Sequence, residues 1–272
     1  MTLAVPNGSI HLLIAEPPVA STPSTLLPVV FVHGMACSAK IWEPQLAYTA
    51  QTRPAIAIDL RGHGDSTPPA DDDYAPASCA ADILAVLSSL GLQRVALVGH
   101  SFGSCVALAA AATDPQTIAQ LILVDPPIDC TQLPPEVYET ELAPYQRALA
   151  TDAWRSALEK SFRQALIGGA ATTSEYVLAR LAATPKAALI GTSHGLFGFS
   201  ALDALDRYFA APGTQAHAIL APSNNMPVSL HVLRPALTPI TLPDTGHWLM
   251  LDAPEAFATA LDTCLGVAQV KS

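Results

Sequence analysis

Charge is scarce in this chain. Only 13% of its 272 residues are Asp, Glu, Lys or Arg, whereas 50% are hydrophobic. That composition can bury a large core and excludes a disordered chain. Basic residues are scarcer still: 13 Lys and Arg stand against 23 Asp and Glu, the net charge is −10, and no run of Lys or Arg occurs. Nucleic acid is therefore not an expected partner. No C-x-x-C pair occurs among the five scattered cysteines, Cys37, Cys79, Cys105, Cys130 and Cys264. A zinc ribbon or redox dithiol is not indicated, and free, mostly buried thiols in a reducing compartment are expected. Residues 1–10 lack a basic region followed by a long apolar stretch, so they do not read as a signal peptide. No apolar segment reaches the roughly 18 residues of a membrane span. A cytoplasmic monomer or homodimer without a membrane partner is the expectation. Internal repeats and low-complexity tracts are also missing.

What is present is an alternation. Residues 2–5 and 10–15 read as two short strands around the turn Pro6-Asn7-Gly8. Then Val29-Val30-Phe31-Val32 forms an apolar, β-branched run too short for a helix, as expected of a buried parallel strand. Residues 55–58, 95–98 and 121–124 repeat it, with helix-like stretches at 78–90 and 102–112 between the last three. Strand and helix in alternation predict an α/β fold with a mostly parallel sheet and helices on both faces. Past Asp125 the pattern changes. Pro126-Pro127 and Pro134-Pro135 punctuate the exit, and residues 130–210 read as helices only. In the clearest, 151–167, Trp154, Leu158 and Phe162 recur at helical spacing before Gly168-Gly169; 174–183 and 200–209 each open on a Ser suited to a cap. Strands resume at 218–220 and 240–242, and 253–265 closes the chain as a helix. The predicted organisation is a core of 1–129 and 211–272 interrupted by a helical cap at 130–210.

Chemistry concentrates at Gly99-His100-Ser101-Phe102-Gly103, a G-x-S-x-G between a strand and a helix. A sharp strand-to-helix turn lifts the Ser101 hydroxyl above the sheet edge. Side chains two residues to either side would collide as strand and helix close up, so glycine is required there. The same turn points the N–H of Phe102 into the site at a helix N-terminus.

Together with three further segments, this motif resembles the α/β-hydrolase superfamily, in its capped bacterial branch of esterases, meta-cleavage-product hydrolases and lactonases. His33-Gly34-Met35 is similar to that family's oxyanion loop. Asp59-Leu60-Arg61-Gly62-His63-Gly64-Asp65-Ser66 looks like its D-x-R-G-x-G-x-S segment, and Gly246-His247-Trp248 resembles its base motif. The resemblance spans essentially the whole chain and implies an α/β-hydrolase fold with a cap. It also implies Ser101 as nucleophile, His247 as general base, and the backbone N–H groups of Met35 and Phe102 as oxyanion donors. His33 and His100 become scaffold, and His63 a turn residue bonded to backbone.

The acid is the departure. The family's usual aspartate after the penultimate strand is absent from Leu220-Ala221-Pro222-Ser223-Asn224-Asn225-Met226, where Asn224 or Asn225 stands near its place. Some relatives carry the acid after the strand that follows the nucleophile helix, which here is Asp125. Two arrangements stay open: a triad with Asp125, or a Ser–His pair oriented by an asparagine amide. Asp244 and Asp252 flank His247 as loop and helix-start residues.

The resulting expectation is a serine hydrolase (carboxylesterase-like) acting on a small, apolar ester or related acyl compound, with no metal or organic cofactor required. Carbon–carbon bond hydrolysis and cofactor-free oxygenation are alternative chemistries for the same groups. A ligand-binding receptor without turnover is the alternative of a different class. Trp154, Phe162, Tyr176, Phe197 and Phe199 of the cap are candidate pocket residues.

Overall fold

A computed structural model describes residues 1–18 and 26–267. Its centre is a single eight-stranded sheet. β1 (Thr2–Val5) and β2 (Gly8–Ala15) form a hairpin. β2 runs antiparallel to β4 (Ala55–Ile58), while β3 (Val29–Val32), β5 (Val95–His100), β6 (Ile118–Val124), β7 (Gln215–Leu220) and β8 (Thr238–Thr241) continue parallel to it. The spatial order is β1-β2-β4-β3-β5-β6-β7-β8. β3 thus lies between β4 and β5, and the direction of strand addition reverses there. In open α/β sheets such a reversal opens a crevice outside the strands' carboxyl ends, where ligands bind.

Burial on two faces explains the unbroken apolar strands. In β3, Val30 and Val32 face one core while Val29 and Phe31 face the other. β5 divides likewise: Val95 and Leu97 on one side, Ala96 and Val98 on the opposite side. The helices Pro76–Ser89 and Phe102–Thr113 cover the first face; Glu43–Thr49 and Pro254–Cys264 cover the second. Register then brings the carboxyl ends level. Val32 pairs with Gly99, His100 with Val124, and Val124 with Ile219. Residues just past β3, β5, β6 and β7 therefore emerge along one edge.

Between β6 and β7 every regular element is a helix, and the main ones are Ala143–Leu149, Trp154–Ala165, Ala171–Ala183, Lys186–Gly198 and Ala201–Phe209. The last of these is not part of a cover. Its Ala201, Leu202, Ala204, Leu205 and Tyr208 belong to the first core, and the Tyr208 hydroxyl donates to the carbonyls of Ile118 and Gln215. The stretch 130–210 thus contributes its last helix to the core. Two local expectations also change. Ser174 lies inside a helix that begins at Ala171, with its hydroxyl on the carbonyl of Ala170, so it is no cap. Lys186–Gly198 escapes the sequence pattern because Gly191, Gly195 and Gly198 break its period. Packing explains the first: a Cβ on Gly191 would sit 2.2 Å from the Tyr74 ring. No helix among the described residues is long and apolar enough to cross a membrane.

Candidate active site

Ser101 caps the helix Phe102–Thr113 with φ 53° and ψ −121°, outside the regions open to an ordinary L-residue. Such a conformation costs on the order of 1–3 kcal/mol and persists only where its surroundings enforce it. They do so here through Gly99 and Gly103. A Cβ on Gly99 would lie 2.2 Å from the carbonyl oxygen of Gly103, and one on Gly103 would lie 2.5 Å from that of His33. The Ser101 N–H donates to the Val124 carbonyl at 3.0 Å, tying the turn to β6. Gly34 needs its lack of a side chain as well, because a Cβ there would stand 2.9 Å from Cβ of Ser101. The His33-Gly34-Met35 segment consequently packs directly on the turn. Among the described residues, the N–H groups of Met35 and Phe102 donate to no protein acceptor.

Asp125 follows β6 directly and also has a positive φ, 43°. Its N–H donates to the Ile219 carbonyl at 2.8 Å, and its carboxylate is buried. Oδ2 lies 2.5 Å from Nδ1 of His247. Oδ1 accepts from the Ala221 N–H at 3.0 Å and from Nδ2 of Asn224 at 3.1 Å. Asn224 is itself fixed on all sides. Its Nδ2 also donates to the Pro126 carbonyl at 2.8 Å, and its Oδ1 accepts from the buried Ser229 hydroxyl at 3.0 Å. The structure thus brings Asp125 to the imidazole and Asn224 to Asp125. Asn225 is exposed and stands outside this network. A network in which every polar group is satisfied holds its members more firmly than isolated pairs do.

Aromatic neighbours fix the His247 ring. His100 packs on it at 4.7 Å between centroids, and Trp248 meets it edge-on at 4.9 Å. His100 is fully buried, and Nε2 donates to the His247 carbonyl at 2.9 Å. Burial, and then the neighbouring His247, hold the His100 pKa well below 6.5, so it stays neutral and does not compete for the proton. His33 spans Gly34 and Leu60, its Nδ1 donating to one carbonyl and its Nε2 accepting from the other residue's N–H. His63 donates from Nδ1 to the Arg61 carbonyl; burial lowers its pKa to about 3.

The loop bearing His247 is held partly from the helical segment. His247 N–H donates to the Ala165 carbonyl at 3.2 Å, and Gly246 lies so close to Gly169 that a Cβ would approach its nitrogen to 2.9 Å. Asp252 clamps both strips of chain, accepting from the N–H of Gly246 and that of Ala170 at 2.9 Å each. The sequence marks Asp252 only as a helix-start residue flanking His247, not as this clamp. Half of the clamp joins strips of chain 82 residues apart, which local sequence does not show.

Ser101, Phe102, Met35 and His247 line one cavity of about 190 Å³. Of the aromatic candidates, Phe162 and Phe197 also line it. Trp154, Tyr176 and Phe199 do not. Arg155 and Lys186 pack on the Trp154 ring, at 4.7 and 5.1 Å from its centroid. Tyr176 is exposed on its helix, and Phe199 lines a separate groove beside Tyr74. Helical spacing marked the apolar side chains but did not say which side of the segment faces Ser101. Pro127, Tyr145, Ser161, Ser193, Leu196 and Trp248 are among the wall residues the sequence did not identify as lining.

This chain belongs to the alpha/beta hydrolase family, whose model matches residues 29–260. Among curated proteins it resembles a putative carbamate hydrolase, RutD, of Escherichia coli (strain UTI89 / UPEC), 30% identical over 125 residues. That match takes in 46% of this chain and 44% of the relative, so it spans less than half of the protein it resembles. Among solved structures, the enol-lactonase of Burkholderia xenovorans LB400 superposes with a TM-score of 0.76 at 19% identity, covering 98% of this chain and 100% of that one. A hydrolase from Pseudomonas aeruginosa PA01 gives 0.78 at 21% identity, with 98% of each chain covered. At these identities the structural likeness concerns the fold.

Proposed function

We propose that this chain is a serine hydrolase that cleaves a compact, uncharged carboxylic ester or a related acyl compound through an acyl-enzyme. The observation that carries this reading is the 2.5 Å contact between Asp125 and His247, with His247 opening on the same cavity as Ser101. Ser101 Oγ attacks the carbonyl carbon, and Nε2 of His247 takes its proton. Asp125 accepts the hydrogen bond from Nδ1, which fixes the tautomer and stabilises the imidazolium. The N–H groups of Met35 and Phe102 receive the developing oxyanion. The imidazolium then protonates the leaving group, and a water activated by His247 releases the acyl group. The names of the relatives, a carbamate hydrolase and an enol-lactonase, also describe cleavage at a carbonyl carbon.

Two measurements test it together: covalent labelling by a fluorophosphonate and turnover of p-nitrophenyl esters of increasing acyl length. The expected result is labelling confined to Ser101 and turnover that favours short acyl chains. Absence of labelling in a folded protein would leave a receptor rather than an enzyme.

A further inference from the structure

Polar groups gather in one part of the cavity wall. Tyr145, Ser161 and Ser193 come from three different helices, Ala143–Leu149, Trp154–Ala165 and Lys186–Gly198, yet all line the space shared by Ser101 and His247. The surrounding lining is apolar, including Phe162, Leu196 and Phe197. Ser193 is fully buried. Its hydroxyl donates to the Leu189 carbonyl at 2.8 Å and lies 3.7 Å from Sδ of Met35, so it sits beside the oxyanion loop. With that proton committed, the Ser193 oxygen offers lone pairs to the cavity. Tyr145 is held by an edge-on contact with Phe197, 5.8 Å between centroids. Burial pushes its phenol pKa up, while the nearby hydroxyls of Ser161 and Ser193 act against that rise. Ser161 is exposed and stands at the mouth.

Charge is missing from the same wall: among the described residues, no Lys, Arg, Asp or Glu lines the cavity. A carboxylate entering it would lose its water and gain no counter-charge, which is costly. A plain alkyl chain would strip water from the hydroxyls and return no hydrogen bond. An uncharged oxygen function meets both conditions. Tyr145 can donate to it, and Ser161 can donate or accept.

On the hydrolase reading above, we propose that Tyr145, Ser161 and Ser193 form a hydroxyl subsite selecting acyl substrates with a neutral oxygen function, an ether, ketone or hydroxyl, near the scissile carbonyl. Both unsubstituted alkyl and carboxylate-bearing substrates are disfavoured. The small cavity requires the two functions to belong to one compact molecule.

The test is a set of p-nitrophenyl alkanoates in which an ether oxygen replaces each methylene in turn, plus the analogue ending in a carboxylate. Each kcat/KM is divided by the ester's own hydroxide-catalysed rate to remove differences in intrinsic reactivity. One oxygen position should exceed its all-carbon counterpart roughly tenfold, the worth of one hydrogen bond. The carboxylate analogue should fall on the order of a hundredfold or more below it. In Tyr145→Phe the oxygen-to-carbon ratio should collapse to about one. Ser161→Ala, at the exposed mouth, should lower the same ratio and serves if Tyr145→Phe does not fold. A flat oxygen series, a preference surviving both variants, or a favoured carboxylate overturns the subsite. If Ser101 is labelled while the series is flat, only the subsite falls. If no ester is cleaved and Ser101 is not labelled, the hydrolase reading falls and the subsite with it.

Discussion

Replacing Asn224 by Leu keeps the number and branching of the side-chain heavy atoms and removes every polar contact of that side chain. Asp125 Oδ1 then retains only the Ala221 N–H, at 3.0 Å, in place of two donors. The Pro126 carbonyl loses the Asn224 donor, and the buried Ser229 hydroxyl loses the acceptor it now uses. A hydrogen bond to a charged group contributes roughly 1.5–3 kcal/mol, and a buried unsatisfied group costs about 1–3 kcal/mol. Stability should therefore drop by about 2–4 kcal/mol, since the two effects overlap in one network. The carboxylate keeps its bond to His247 but loses orientation, and 1.5–3 kcal/mol of that loss expressed in the transition state lowers kcat by roughly ten- to a hundredfold. Urea denaturation and p-nitrophenyl ester kinetics measure the two quantities separately. Asn225→Ala is the control: that side chain is exposed and outside the network, so its stability should stay within about 0.5 kcal/mol of the parent. Unchanged kcat in a folded Asn224→Leu protein, or an equal loss in Asn225→Ala, would show that Asn224 does not hold the acid.

Ser101→Ala should fold normally and lose at least about a thousandfold in ester turnover, measured against the parent at equal concentration of folded protein. Stability should fall with acid: folded His63 binds its proton near pH 3 and an unfolded histidine near 6.5, so between those values the unfolded state holds more protons. The full contribution is present above about pH 6.5, and by pH 5 His63 alone has removed about 2 kcal/mol, with His33 and His100 acting in the same direction; a thermal midpoint unchanged from pH 7 to 5 would contradict this. Asp252→Ala releases both the Gly246 and the Ala170 N–H, and should cost about 1–3 kcal/mol of stability and lower kcat more than it raises KM, because the loop bearing His247 is loosened.

The inner strands were legible because β3, β4, β5 and β6 are short apolar runs buried on both faces, and Ser101 because its turn demands glycine at two positions that the chain supplies. His247 was legible from its motif alone. Asp125 remained one of two readings, since a single aspartate after a strand carries no periodicity, and its partner lies 122 residues away in sequence. The pocket wall was the least legible part. Trp154 and Phe162 share one helical stripe, yet Phe162 lines the cavity and Trp154 packs under Arg155 and Lys186. Which side of an amphipathic helix meets the site is decided by docking among five helices, a tertiary matter that helical spacing cannot encode. Tyr145, Ser161 and Ser193 were invisible for the same reason, because their meeting depends on three separate elements converging.

The pairing of Asp125 with Asn224 has a physical logic of its own. β6 and β7 are neighbours in register, Val124 beside Ile219, so the residues just past them face one another across about one strand spacing. A carboxylate on either side can reach an imidazole placed at the same edge, provided the other side offers a donor rather than a second charge. Asn224 meets that condition: its Nδ2 lies 3.1 Å from Asp125 Oδ1, where a second carboxylate would repel by roughly 5 kcal/mol at an effective dielectric of 20. The pair thus divides one charge and one amide between two strand ends, and the division itself can be reversed. Asp125→Asn alone should lower kcat by about four orders of magnitude, as loss of the acid does in a related triad. Asp125→Asn combined with Asn224→Asp restores one negative charge and one amide to the same space, and should recover at least about tenfold of that loss. Asn224→Asp alone should be impaired, because it places a second carboxylate against the first. A double variant no better than Asp125→Asn would mean that the left-handed backbone of Asp125, with φ 43°, aims the carboxylate in a way position 224 cannot copy.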